Sequence, residues 1–232
     1  MKHGMHKIAL FLVLITFSLY LGCQYQKGWV VEEKPLAPKV KKVVVFGFRP
    51  ALSQGESSNV IRTPISGTVS MAEPVPEMVV DKMTSTLFNK FLEDKNYDLI
   101  SPAQARGVFL SLVTSDSTSS DLKMFQRLGR TFSADAVLTG YIYRWREREG
   151  TVYAVDRPAA VNFDLYLIRP DDGAILWKGR FEKAQLSLSE NLLDMDTFIK
   201  GGGKWMSAEK LGELGLDNLL VELLKGKKGQ TE

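Results

Sequence analysis

Few residues of this chain are equipped for covalent or acid–base chemistry. There is one cysteine, Cys23, and there are two histidines, His3 and His6, all near the amino terminus. If residues 1–22 are removed as a leader, no histidine remains. A Ser-His-Asp triad, a Cys-His nucleophile and a histidine-containing metal site are then all excluded. With a single cysteine no intrachain disulfide can form, so stability must come from a packed core. Ser120-Asp-Leu-Lys123 and Ser207-Ala-Glu-Lys210 fit S-x-x-K, a nucleophile motif, but its companions S-D-N and K-T-G are missing. Both serines precede apolar helical runs, where capping is the ordinary task. Gly201-Gly-Gly-Lys204 approaches a phosphate loop, yet Trp205 stands where a serine or threonine must meet the metal. Asp171-Asp172 and Asp194-Met-Asp196 are the acid pairs that could hold a metal. Two carboxylates in a turn are ordinarily solvated, and no metal or other cofactor is expected.

Cys23 ends a segment with its own chemistry. Lys2 and Lys7 precede the uncharged run Ile8–Leu21, and Gly22 stands directly before the cysteine. A positive start, a short apolar stretch and a small residue before the cut make a secretory signal peptide. The run is shorter than the roughly 20 apolar residues of a membrane-spanning helix. This stretch resembles the lipobox of bacterial lipoproteins, with Tyr20 where a leucine is usual. The resemblance implies cleavage between Gly22 and Cys23, acylation of Cys23 and a palmitate-type membrane anchor. Each buried methylene contributes about 0.8 kcal/mol, so several acyl chains hold stably. Under that family's sorting rule, Gln24 in place of aspartate points to the outer membrane, facing the periplasm.

The charges nearly balance, 30 Lys and Arg against 27 Asp and Glu. A nucleic-acid binder would be far more basic, so none is expected as a partner. Residues 23–41 carry Pro35 and Pro38, which forbid a helix, and show no strand alternation. They read as an acylated cysteine and a flexible tether. Residues 42–232 read as one αβ domain.

Within that domain, Lys42–Phe48 is a β-branched apolar run of the kind found in buried central strands. A long stretch, 49–74, follows, in which residues 60–62 and 68–71 could pair as a hairpin. Apolar residues at helical spacing mark 77–93, and Tyr97–Ile100 is a short strand. Ser101-Pro102 opens a helix through about Leu112. Ser120 or Asp121 caps another to Thr131. Three strands then form an antiparallel meander, 134–146, 161–169 and 174–183, with Pro170-Asp-Asp-Gly173 as a turn. Helices are expected over Leu186–Phe198 and from Ser207 to Leu224, with a break at Gly201–Gly203. The fold class is α/β (α+β): a mixed sheet of about five strands with helices packed on it.

Two stretches carry a second resemblance, Leu128–Gly140 and Leu165–Trp177. With the early strand and the helix after it, they resemble the αβ domain of periplasmic assembly lipoproteins. That group includes the curli-secretion channel lipoprotein and the lipoprotein activators of peptidoglycan synthases, and shares its fold with the amino-terminal domain of TolB. The resemblance covers about residues 42–183. It implies a non-catalytic outer-membrane lipoprotein, a scaffold or accessory factor in envelope or secretion-complex assembly, working through protein contacts. Envelope or secretion proteins are the implied partners, with a homo-oligomer as a further option. No stretch matches the channel's membrane-spanning hairpins. Ala134, Ala136, Gly173 and Trp177 also have plain packing roles within these motifs. The alternative class is a histidine-free hydrolase of envelope glycan using paired carboxylates.

Two regions are candidates for partner contact. The 49–74 stretch is too long for a simple connector and carries Val60, Ile61, Ile65, Val69 and Met71. Ile65 and Val69 are either an interface or packing against the domain's own sheet. In Tyr141–Arg148, alternation puts Tyr141, Tyr143 and Trp145 on one face and Ile142, Arg144, Arg146 and Arg148 on the other. Lys178 and Arg180 alternate similarly. If the faces coincide, a basic surface results for an acidic partner or an anionic glycan. Otherwise the arginines pair with Glu147, Asp164 or Glu182 on a wet face.

Overall fold

A computed structural model describes residues 29–32, 40–116, 118–150, 155–184 and 206–225. Gly22 and Cys23, the Leu186–Phe198 helix, the Gly201–Gly203 break and the basic tail lie outside the described residues.

The apolar run after Lys42 becomes the central strand β2 (Lys42–Pro50), flanked on one side by β5 (Asp98–Ile100) and on the other by β6 (Ala136–Arg146), both parallel to it. The meander continues antiparallel from β6 to β9 (Ala160–Ile168) and β10 (Ile175–Ala184). These are the five strands read from the sequence. A sixth joins them. Trp29–Glu32, within the segment read as tether, is strand β1, antiparallel to β10 with Trp29 opposite Phe181 and Glu32 opposite Lys178. The sheet order is β1-β10-β9-β6-β2-β5. Four residues are too few for alternation to register as a strand; pairing to an open edge is what orders them.

Helices cover both faces. Helix α1 (Glu77–Leu92) and helix α4 (Ala208–Lys225) pack on one face, against Val43, Val45, Leu138, Phe163 and Leu165. Helix α2 (Pro102–Ser115) and helix α3 (Asp121–Thr131) pack on the other, against Val44, Phe46, Val137 and Ile168. Adjacent β2 residues thus feed opposite cores, which is why the strand is apolar without alternation. Ser101 caps α2 in a reciprocal box with Gln104. Ser207 caps α4, its Oγ accepting from Lys210 N at 3.2 Å. Ser120 stands at the cap position of α3 but makes no side-chain capping bond.

Besides a register shift between Ile175 and Trp177 on β10, two bulges interrupt the pattern. One lies at Gly47 (φ +86°), where the register slips between Val45 and Gly47 and Phe48 moves to the α1/α4 face. The other lies between Ile142 and Arg144 on β6. Two further pairs stand apart from the main sheet: the hairpin β3 (Asn59–Arg62) with β4 (Val69–Ala72), as expected from the sequence, and β7 (Glu149–Gly150) with β8 (Val155–Arg157).

Candidate functional site

The second bulge decides the face on which the arginines lie. Because the extra residue is Tyr143, Ile142 stands opposite Phe163 while Arg144 stands opposite Asn162. A one-residue slip reverses every side chain beyond it. Trp145 therefore packs with the α1/α4 core, and Arg144 and Arg146 join Tyr141 and Tyr143 on the α2/α3 face. Uniform alternation puts these groups on the reverse faces and is corrected here. The slip also brings Arg144 and Arg146 onto the face that holds Arg180.

That face carries a buried ionic cluster. Asp164 of β9, with no exposed surface, lies opposite Arg180 of β10. Arg180 grips it through Nε–Oδ1 at 2.6 Å and Nη2–Oδ2 at 3.0 Å. Tyr166 donates its hydroxyl to Asp164 Oδ2 at 2.7 Å and Tyr143 donates to the same oxygen at 3.3 Å. The Arg180 guanidinium also lies 5.7 Å from the Tyr143 ring centre. Fork-shaped pairing of this kind is the strong form of ion pair. Its hydrogen bonds to Asp164 raise the Arg180 pKa. Burial first, and the Asp164 charge second, push both phenols far above the usual tyrosine value. Held this way the cluster offers neither a nucleophile nor a base.

The hairpin closes over this face. Its Ser66 hydroxyl is 3.1 Å from that of Tyr166, and its exit strand passes on to Glu73, whose N–H donates to Tyr143 O at 2.7 Å. Glu73 accepts from Arg144 Nε at 2.7 Å and lies 3.9 Å from Arg146. The partners proposed from the sequence for these arginines were Glu147, Asp164 or Glu182. Asp164 holds Arg180, while Glu73 takes Arg144 and Arg146 instead. Nothing in the sequence signals that choice, since Glu73 lies 71 residues before Arg144.

The hairpin has two unlike sides. Ile61, Ser70 and Ala72 face inward, and Ile65 at the turn is half-buried against the α2/α3 core. Val60 (55% exposed), Val69 (63%) and Met71 (47%) face outward, with Val60 directly opposite Met71. Ile65 and Val69 thus divide between the two readings: the first packs inward and the second stands in solvent.

Of the two acid pairs, Asp194 and Asp196 lie outside the described residues, and Asp171 and Asp172 are exposed in a turn. A glycosidase acid needs a raised pKa. Asp172, beside Asp171, is instead pulled well below the usual range by its hydrogen bonds from Arg169 (2.9 and 2.7 Å) and then Ala174 N. Asp116 is lowered too, by the Ser119 hydroxyl first and then Thr118. Among the described residues no group of three His, Cys, Asp or Glu side chains is placed to hold a metal ion. A cavity of about 600 Å³ lies at the far end of the sheet, lined by Arg130 and Asp135 among others. Both are occupied with backbone: Arg130 holds the carbonyls of Pro170 and Asp171, and Asp135 accepts from Lys41 N and Lys42 N.

The buried phenols make a pH prediction. A tyrosine whose folded pKa is raised stabilises the fold below its unfolded value of about 10, and that stability is lost as pH rises beyond it. Tyr141, Tyr143 and Tyr166 are all raised, chiefly by burial. The melting temperature is therefore expected to hold up to about pH 10 and to fall steeply above it. Tyr143→Phe should flatten that fall. An alkaline limb identical in the two proteins would show that Tyr143 does not titrate with unfolding.

No protein-family model matches the sequence, and no curated protein matches it. Solved structures do. A PelC dodecamer from Paraburkholderia phytofirmans is 19% identical, with 81% of this chain and 97% of that one covered and a TM-score of 0.35. The LpoB C-terminal domain from Salmonella enterica is 16% identical, over 62% of this chain and 83% of that one, at 0.36. The lipoprotein GNA1162 from Neisseria meningitidis is 13% identical, over 70% and 96%, at 0.35.

Proposed function

We propose that this protein is a lipoprotein anchored through acylated Cys23 to the outer membrane, facing the periplasm. It serves as a non-catalytic scaffold or accessory factor in an envelope or secretion assembly. The observation that supports this best is the hairpin. Its inner side is locked to the sheet through Ile61, Ile65 and the Ser66–Tyr166 contact, and its outer side presents Val60, Val69 and Met71 to solvent. Apolar side chains grouped on a fixed exposed surface mark protein contacts. A solvated connector would carry polar residues there. Among the described residues no helix is long and apolar enough to cross a membrane; the acyl attachment rests on the Gly22-Cys23 motif and on the hold that several acyl chains give.

The test combines anchoring with contact. A photoreactive crosslinker at position 69 of the full chain, expressed in cells, should capture a defined envelope protein or a second copy of the chain. Val69→Glu should abolish the crosslinks formed from position 71 while changing stability by less than about 0.5 kcal/mol, as surface substitutions do. Ile65→Glu should instead lower the melting temperature, because it buries a charge against the α2/α3 core. Cys23→Ser should release the protein from the membrane fraction. A protein that crosslinks to nothing from positions 60, 69 and 71 would refute the contact surface. Membrane retention of the Cys23→Ser variant would refute the anchor.

A further inference from the structure

Strand β2 outruns its neighbour on one side. β5 pairs only with Lys42–Val44, whereas β6 runs beside β2 as far as Pro50. From Phe46 onward the β5 side of β2 is therefore an open edge. The next helices after β2 and β5, α1 and α2, cover opposite faces of the sheet. In an open αβ sheet, the crevice at the carboxyl ends of parallel strands whose connections diverge in this way is the usual binding position. A cavity of about 320 Å³ lies there, lined by Phe46, Phe48, Val80, Phe109 and Leu110. Phe46 and Phe109 belong to the α2/α3 core, and Phe48 and Val80 to the α1/α4 core, so the cavity opens where the two cores meet. Leu110 is 67% exposed at its mouth. Arg106 of α2 reaches Asp81 of α1 at 2.7 Å, which two helices on opposite faces can do only around the open edge.

The rim fixes the chemistry of the guest. Arg49 holds Asp121 at 2.8 Å and lies 5.6 Å from the Phe109 ring centre, and Arg106 holds Asp81. Glu77, exposed in the first turn of α1, is the charge on the lining with no ion-pair partner among the described residues. The open edge does not recruit a strand: Phe48 N already donates to Thr84 Oγ1 at 2.9 Å, and Pro50 has no N–H to offer. The guest is therefore a side chain. We propose that this crevice receives an aromatic side chain of a partner protein, with a basic residue beside it in the partner's sequence. Three phenylalanine rings favour a ring over an aliphatic chain, through edge and offset contacts. Small-molecule sites begin at about 300 Å³, so the room suits one ring system and no extended ligand. Glu77 attracts the cation, and the two arginines, each held by its own carboxylate, do not oppose it. The proposal rests on the reading of this protein as one that works through protein contacts, at a surface separate from the hairpin.

The experiment titrates the full chain in detergent with acetyl-Lys-Trp-Lys-amide, acetyl-Glu-Trp-Glu-amide, acetyl-Lys-Leu-Lys-amide and tryptamine, followed by calorimetry. Saturable binding of the first is expected, about threefold or more tighter than each of the others, the scale of an exposed charge pair or one aromatic contact. Glu77→Lys should reverse the preference between the basic and the acidic tryptophan peptide. Leu110→Ser should weaken the basic tryptophan peptide about threefold. Both positions are exposed, so both variants keep the fold. Val69→Glu should leave peptide binding unchanged, so failure of the hairpin surface and failure of this crevice are read separately. Absence of saturable binding, equal binding of the leucine peptide, or a charge preference unmoved by Glu77→Lys overturns the proposal. So does tryptamine binding as tightly, which would make this a small-amine site, or self-association of the chain that Leu110→Ser abolishes, which would make the occupant a second copy.

Discussion

Replacing Asp164 with alanine is expected to destabilise the fold by about 3–5 kcal/mol, the usual effect of removing one partner from a buried ion pair. The carboxylate has no exposed surface and accepts four bonds, two from Arg180 and one each from Tyr143 and Tyr166. Without it a guanidinium and two phenols remain at the sheet face with no acceptor between them. The Arg180 side chain keeps 23% of its surface exposed, so it can reach water in part, which favours the lower end of the range. Changing both members tests whether the loss belongs to the pair or to the orphaned charge. Asp164→Leu with Arg180→Met should recover more than half of the loss, since well-packed apolar pairs often replace buried ions without penalty. Urea unfolding of the three proteins measures this. An Asp164→Ala variant within about 0.5 kcal/mol of the parent would show that the cluster does not hold this face together.

Gly47→Ala is the second large expected effect, of about 3 kcal/mol, from two additive causes. Its φ of +86° is strained for any residue with a side chain, and an added Cβ would stand 2.2 Å from Thr84 Cγ2. Overpacking a filled site costs about 1–3 kcal/mol, and the backbone strain adds about 1 or more. Thr84 cannot simply withdraw, because its Oγ1 accepts from Phe48 N at 2.9 Å. Thr84→Ser removes the methyl and keeps that acceptor. In its background Gly47→Ala should therefore lose about 1 kcal/mol less. A double-mutant cycle with no coupling would show that the clash with the Thr84 methyl contributes nothing to the effect. The stakes reach past stability. This bulge turns Phe48 onto the α1/α4 face and aims the chain into the segment that builds the hairpin.

The elements themselves were written in the sequence. The apolar run at 43–48, the capping signal Ser101-Pro102, the turn at Pro170–Gly173 and the leucine stripe near the carboxyl end each state a local preference, and strands and helices form where they say. Hydrophobic periodicity and turn chemistry are properties of short windows, so they survive without knowledge of the rest of the chain. The 60–71 hairpin was legible for the same reason. Its sidedness was not, because Ile65 and Val69 are equally apolar and only the position of the sheet beneath them makes one buried and the other exposed. Strand β1 was hidden because its order comes from the free edge of β10, a partner about 150 residues away that no local pattern announces. The arginine face depended on a single extra residue at Tyr143. A bulge is a mismatch between two strands, so it exists only once they pair, and it reverses which side chains meet. That reversal placed Arg144, Arg146 and Arg180 on one face with Glu73, Asp164 and Asn162. The sequence determined which charges the chain owns and which elements carry them; the pairing of strands decided which charges face one another.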